Sequence, residues 1–390
     1  MNEITKDLKT YDRPVNLGNP QMGWASDVAA EMLRRLGIKY ISLNPGASYR
    51  GLHDSIVNYL GNENPQMLIC LHEDHAVHVA QGYAKATGEP MACALHSNVG
   101  LMHGLMATFN AWCNRAPMIM MGATGPVDAS IRRPWIDWIH TAKDQGAMLR
   151  DYTKWDDEPR SAEAIVETMF RANQMARSQP PGPVYVCLDA GLQEEALNEE
   201  ITIPDAARYQ PSDPPRASEN AVSEVADLLL VAKNPIFMIG RSARTEEAWK
   251  NRVKLAEAIG AGVFTNLRNA AVFPSNHLLH VGRPSGGVNP VMREAIHGAD
   301  VVLSLNWLDF GGTQKLIRRD GEIRAKLINC TLEQYVHNGF GMELFELPAA
   351  DIKIDADHDA FVEQLLAEFA RRDAKSTWNG KRVGPEPEAF

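Results

Sequence analysis

The sequence predicts an α/β protein built from two doubly wound, mainly parallel-sheet domains. Three observations point there. Apolar runs of about five residues recur along the chain, and helix-period stretches separate them. The runs are continuously apolar rather than alternating, as strands buried on both faces of a sheet must be. The alternation breaks at 191–217, where acidic residues and four prolines take over, and then resumes.

The elements follow in order. Residues 1–24 are polar, with Pro14, Gly18 and Pro20, and read as an N-terminal arm. Positions 25–36 (ASDVAAEMLRRL) have a helical period ended by Gly37. Strands are expected at 39–43, 67–71, 91–95, 117–121 and 183–188, with helices at about 49–60, 73–87, 100–113, 135–150 and 161–177. Runs this short fit a buried helix as well as a strand; flanking Gly, Pro and Asn decide for strands. The first domain is thus 25–190 and the linker 191–217. A second alternation fills 218–371, with helices at 218–232, 245–259, 290–298 and 358–371. Its strands are expected at 235–239, 262–265, 300–306, 325–330 and 351–355. The segment 372–390 is expected to be a loose polar tail.

Composition narrows the function. The 390 residues are 45% apolar and 23% charged, enough for two separate cores. Net charge is −10 and the basic residues do not cluster, so nucleic acid is not an expected partner. Cys70, Cys93, Cys113, Cys187 and Cys330 form no CxxC pair and read as buried free thiols of a reducing compartment. The first residues lack an apolar signal core, and no run approaches the ~20 apolar residues of a membrane span. A cytoplasmic protein without a membrane partner is expected.

Chemistry concentrates where strands become helices. In "CLHEDHAVHVAQGYAKATGEP" (70–90), three histidines and two acids open an apolar helix. His72, His75 and His78 lie at i, i+3, i+6, which drifts around a helix and is not the HExxH pattern, so no metal is expected there. Asp74 fits a solvated first turn. Glu73 falls at the carboxyl end of a strand, in the crevice where open α/β sheets bind ligands. Walled by Ile69, Leu71 and Val77, its carboxyl is expected to be desolvated and its pKa raised. "NPGASYRG" (44–51) supplies a Pro45-Gly46 turn and Ser48 as a helix cap. "ALHSNVGLMHG" (94–104) ends a strand in His96-Ser97-Asn98; substrate contact and an ordinary capped turn are equally good readings of that spacing. "MIGRSAR" (238–244) keeps only the first glycine of GxGxxG, so NAD and FAD are not expected. "RPSGGVNP" (283–290) is a loop that could line a site or simply connect two elements.

"HEDHAVHVAQGYAKATGEP" resembles the H-E-x-x-A-x-x-x-A-x-G-Y-A-x-x-T-G segment of thiamine diphosphate-dependent decarboxylases and carboligases, the benzoylformate decarboxylase and acetolactate synthase group. The NPG turn at 44–46, "LHSNVGLMHGLMATFNAWCNRAPMIMMGATGP" (95–126), "KWDDEPRSAEA" (154–164) and "GPVYVCLD" (182–189) are similar to it as well. The resemblance implies that 25–190 is the pyrimidine-binding domain and 218–371 the central Rossmann-like domain. It implies that Glu73 hydrogen-bonds N1′ of the aminopyrimidine and so activates the cofactor. Pro45, Gly46, Ser97 and Asn98 would join it in cofactor binding. His96 would be an acid/base or carboxylate-orienting group. Ala47, which stands where the family often has Ser, would contact the substrate with Ser48 and His96. A second histidine, brought by some decarboxylases from the central domain, has no counterpart in "NWLDFGGTQ".

The family's diphosphate- and Mg²⁺-binding domain carries GDG and, further on, an Asn pair. The nearest string here, Arg319-Asp320-Gly321, lacks the first Gly and the Asn pair. The resemblance therefore implies a split enzyme: a partner subunit bearing GDG…NN holds diphosphate and Mg²⁺, in a hetero-oligomer with a dimer of this chain. The expected reaction is decarboxylation of a small 2-oxo acid, with carboligation of the acetolactate synthase kind as the alternative. A non-catalytic homologue that binds or regulates a partner is the reading from a different class.

Overall fold

A computed structural model describes residues 13–14, 17–199, 201–333 and 346–385. Most of the expected arm (1–12 and 15–16) and the last five tail residues lie outside that range. The chain divides into two compact units, Met1–Ser212 and Asp213–Phe390. Each is built on one all-parallel sheet.

The first unit contains α1 (Ala25–Arg35), β1 (Tyr40–Leu43), α2 (Arg50–Asp54), β2 (Gln66–Ile69), α3 (Glu73–Thr87), β3 (Met91–Leu95) and α4 (Ser97–Cys113). It continues with β4 (Met118–Thr124), α5 (Ile136–Ile139), β5 (Asp156–Asp157), α6 (Ala162–Arg177), β6 (Pro183–Asp189) and α7 (Ala190–Gln193). Its six strands run in the order β2-β1-β3-β4-β6-β5. β3 and β4 are buried at every position because both faces are covered. One face carries α1, α2 and α6 over Ile41, Leu43, Ile119 and Val184; the other carries α3 and α4 over Cys93, Leu95 and Met120.

Helix α3 shows why the sequence folds as it does locally. The His72 side chain accepts from the Asp74 amide, Glu73 and Asp74 sit in the positive first turn, and Gly88 ends the helix at φ +78°. Ala76, Val77, Ala80 and Ala84 recur every three to four residues and face the core.

Two expectations are corrected here and one strand is added. The helix at 135–150 shrinks to Ile136–Ile139, followed by two 3₁₀ turns at Gly146–Met148 and Arg150–Tyr152. Its polar residues are anchors, not a solvent face: Asp137 accepts from Arg133, and the Gln145 amide donates to the Ala123 carbonyl at 2.7 Å. Two acidic residues form the edge strand β5, which composition hid. Cys93, Cys187 and Cys330 are buried free thiols, but Cys70 and Cys113 are only half-buried.

The second unit contains α8 (Glu219–Val231), β7 (Pro235–Ile239), α9 (Glu246–Ile259), β8 (Gly262–Thr265), α10 (Pro290–His297) and β9 (Val301–Leu305). It closes with α11 (Phe310–Arg318), β10 (Lys326–Cys330), β11 (Ile352–Ile354) and α12 (His358–Arg371). The strand order is β11-β10-β9-β7-β8. Helix α11 was not expected, because Gly311 and Gly312 disguise it; Asp309 caps it by accepting from the Gly312 amide at 2.9 Å. The described residues after α12, up to 385, are not loose: Trp378 and Val383 pack on the second domain's cores, and the Val383 amide donates to the Leu278 carbonyl at 3.0 Å. Among the described residues no helix is long and apolar enough to cross a membrane.

Candidate active site at the first strand tips

Strand β1 pairs with β2 on one side and β3 on the other, so the chain leaves β1 in one direction and later returns in the opposite one. The crevice at their carboxyl ends is a topological switch point. Three turns meet there: Asn44-Pro45-Gly46 after β1, His72-Glu73 after β2, and His96-Ser97 after β3.

Glu73 is 5% exposed. Its two oxygens have different surroundings. Oε1 accepts from Asn44 Nδ2 at 3.1 Å, and Asn44 is itself held by the Tyr49 hydroxyl on its carbonyl. Oε2 lies 3.3 Å from His103 Nδ1 on α4, a side chain that is 54% exposed. Gly100 makes the approach possible: a Cβ there would sit 2.9 Å from Oε1 and 3.2 Å from His96 Cβ.

The expected wall and the expected pKa are both corrected. Val77 is buried, but Ile69 and Leu71 are exposed, Leu71 at 92%, because β2 is the edge strand and its tip runs out of the sheet. Helix α4 comes against the carboxyl instead, with Gly100 close to Oε1 and His103 at Oε2. Burial pushes the Glu73 pKa up, yet a backbone amide, Asn44 and His103 together hold it below the ordinary carboxylate range. The group rests as an anion whose charge is met by hydrogen bonds.

His96 follows β3 and fills the space that Gly46 leaves open; a side chain at position 46 would collide with its ring. Ser48 lies in a 3₁₀ turn, caps no helix, and places its Oγ 2.9 Å from His96 Nδ1. Burial, with the nearby His140, pushes the His96 pKa down, and Glu73 pulls the other way. The ring is therefore neutral at pH 7, a hydrogen-bonding group rather than a fixed cation. His140 lies 4.6 Å away, ring to ring. Ser97 is fully buried at φ +50°; its hydroxyl donates to the His140 carbonyl and lies 2.9 Å from Asn98 Oδ1, so it is turned inward and not to the crevice. Asn98 is half-buried, and Pro45 and Ala47 are exposed on the rim.

The three histidines of the opening motif do not converge. Instead His72, Glu73 and His103 come together, their ligand-capable atoms within 4.8 Å of one another. The His72 and His103 rings stack at 4.9 Å and 14°. A metal ion must lie in the plane of each imidazole that binds it, and near-parallel stacked planes do not meet at one point. His72 Nδ1 is also 2.7 Å from Asp74 Oδ1.

Sequence reasoning missed Asn44, Gly100, His103 and His140. Asn44 and Gly100 lay inside the quoted motifs, and His103 is two turns beyond His96 on the same helix. His140 gave no local signal; it arrives 44 residues later through a loop tied down by Asp137 and Ser97.

The fold is that of a doubly wound α/β protein with a buried carboxylate at its switch point, the place where such sheets bind ligands. Residues 24–148 match the model of the thiamine pyrophosphate enzyme N-terminal TPP binding domain, and residues 222–330 match that of the central domain. The chain belongs to the thiamine pyrophosphate enzyme family. It is 24% identical over 364 residues to a probable acetolactate synthase large subunit of Methanocaldococcus jannaschii, covering 90% of this chain and 58% of that protein. Against benzoylformate decarboxylase of Pseudomonas aeruginosa it is 24% identical over 274 residues, covering 70% and 50%. The crystal structure of benzoylformate decarboxylase from Polynucleobacter necessarius has the same fold, with TM-score 0.73 at 18% identity, covering 94% of this chain and 65% of that one. The chain spans about half the length of the curated relatives it matches.

Proposed function

We propose that this chain supplies the proton-exchanging carboxylate of a thiamine diphosphate-dependent C–C lyase that decarboxylates a small 2-oxo acid. In this reading a separate subunit holds the diphosphate and Mg²⁺. The observation that carries it is Glu73, buried at the switch point with Oε1 held by Asn44 and Oε2 beside the exposed His103 ring. Bound thiamine diphosphate would supply a carbon nucleophile and an electron sink for breaking the bond to the carboxylate group.

The protein's own residues have separable roles. Asn44 fixes Oε1, so that Oε2 can exchange a proton with a ring nitrogen docked against it. Gly46 and Gly100 let His96 and Glu73 approach each other. Neutral His96, oriented by Ser48, presents its ring to substrate as a hydrogen-bond partner and proton carrier. The same constellation would serve a carboligase in the first half of its reaction.

The partner reading rests on the surface beside the site. Val99, Met102 and Met106 lie on the α4 face that also bears His103, and they are exposed at 39%, 54% and 62%. Exposed apolar side chains on the helix face whose His103 meets Glu73 are what a surface covered by another protein would carry. The five free cysteines fit a reducing cytoplasm.

The test is turnover of a panel of 2-oxo acids by this chain, alone and with a separately encoded chain bearing GDG and a downstream Asn pair. Activity is expected only from the mixture. Turnover by the isolated chain would end the split-site reading, and a mixture without bound thiamine diphosphate would end the enzymatic one.

A further inference from the structure

His103 has no role in the scheme above, yet its ring meets the Glu73 oxygen that Asn44 does not hold. It lies within α4, two turns past His96. Its Nδ1 is 3.3 Å from Glu73 Oε2, and its other neighbour is the His72 ring, stacked at 4.9 Å. His72 in turn caps α3, the helix that begins with Glu73, and its Nδ1 lies 2.7 Å from Asp74 Oδ1. One imidazole thus leans on another that is locked to the start of α3. The titratable groups around His103 are Glu73, His72 and Asp74 from that helix start, His75 one turn on, and His96 on the far side of Glu73.

We propose that His103 is a positioning residue for Glu73: together with Asn44 it spans the carboxylate, holding the group ionised with Oε2 aimed at the open side of the crevice. Without His103 the carboxylate keeps Asn44 on Oε1 and a backbone amide, but Oε2 loses its side-chain partner. A carboxylate gripped mainly through one oxygen still swings about its terminal bond, and a desolvated one that loses a donor shifts toward its neutral form. The His103 contact opposes both. Its length and the exposure of His103 make it a contact that an incoming ligand can replace. The geometry of Glu73 stands without the proposed function; its consequence for catalysis rests on that reading.

The experiment uses the full chain with carboxyl-¹³C glutamate. The Glu73 resonance is assigned with Glu73→Gln and titrated in the native chain, His103→Leu and His103→Asn, with circular dichroism confirming the fold of each. His103→Leu is expected to move the Glu73 midpoint to higher pH. His103→Asn is expected to return part of the shift, because its amide restores a donor but not a charge. An unchanged midpoint in folded His103→Leu overturns the proposal.

In the two-chain complex, the acidic limb of the kcat pH profile is expected to move in the same direction and the same order. If the complex shows no turnover, the proposed function fails, while the carboxyl titration still decides the role of His103.

Discussion

The two domains have the same kind of switch point and use it in opposite ways. In the first, Gly46 follows β1 and leaves room that the His96 ring fills; in the second, Gly240 follows β7 and the space is filled by the backbone of Asn306 and Trp307. Both glycines are there because something lies too close for a Cβ. In the first domain that something is a side chain with a titratable ring, close to the buried Glu73 carboxylate. In the second it is main chain, and the charges near it are satisfied within the fold. Arg252, fully buried, donates to Asp359, to the Val272 carbonyl at 2.9 Å and to the Ala243 carbonyl at 2.9 Å. His358 Nε2 lies 2.9 Å from Ser242 Oγ, and Asn306 Nδ2 donates to the Arg241 carbonyl at 2.8 Å. Topology offers a crevice in each sheet. Whether it is a site depends on whether polar groups there are left facing out or are paired with one another.

The largest expected effect tests the first crevice directly. Glu73→Gln removes the exchangeable proton site while keeping shape and the contact to Asn44. In the proposed two-chain enzyme kcat is expected to fall at least about a hundredfold, roughly 2.7 kcal/mol, with an unchanged urea midpoint for this chain. Near-native kcat would remove Glu73 from the chemistry.

A matched pair of glycine substitutions sharpens the comparison. Gly240→Ala drives a methyl into rigid backbone and is expected to destabilise the chain by about 1–3 kcal/mol or more. Gly46→Ala meets a side chain that can turn aside. It is expected to cost less stability but to lower kcat on the order of tenfold or more, by displacing His96. Denaturation midpoints and kcat measured on both variants check this; equal loss of stability would erase the distinction between backbone-filled and side-chain-filled crevices.

A further effect concerns a half-buried charge in the first domain away from the crevice. Lys154 donates to the Ser178 carbonyl at 2.6 Å and has no carboxylate partner among its hydrogen bonds. Burial, with Arg115 nearby, lowers its pKa to about 8. In the unfolded chain it returns to about 10.4. Between those values the unfolded state binds more protons, so stability rises with pH in that window. Relative to Lys154→Met, the native chain is expected to gain in urea midpoint from pH 7.5 to 10. A constant difference would mean that Lys154 titrates as an exposed lysine.

Some of this was legible in the residues. The apolar runs gave β3 at 91–95, β7 at 235–239 and β8 at 262–265 without error, and α3 at 73–87 follows from its cap, its period and Gly88. Elements failed where tertiary demands override local pattern: 135–150 carries a helical period but spends Asp137 and Gln145 on anchoring a loop, and α11 begins with Phe310 followed by two glycines. Glu73 and His96 stood out because a strand tip is a local feature. The pKa of Glu73 was misjudged for a related reason: burial could be foreseen from the neighbouring sequence, but Asn44 and His103 come from 29 and 30 residues away and reverse its effect.

The sequence by itself determined two parallel sheets, the strand tips that bear polar residues, and the motif that marks the family, since period, capping and motif spacing are short-range properties. The tertiary structure alone decided that Asn44 holds one oxygen of Glu73 and His103 meets the other, that His96 is held neutral by its buried surroundings and oriented by Ser48, and that a side chain fills one crevice while backbone fills the other. Those outcomes depend on side chains from separate strands converging within hydrogen-bond distance, and electrostatic effects at that range are set by three-dimensional proximity rather than by order along the chain.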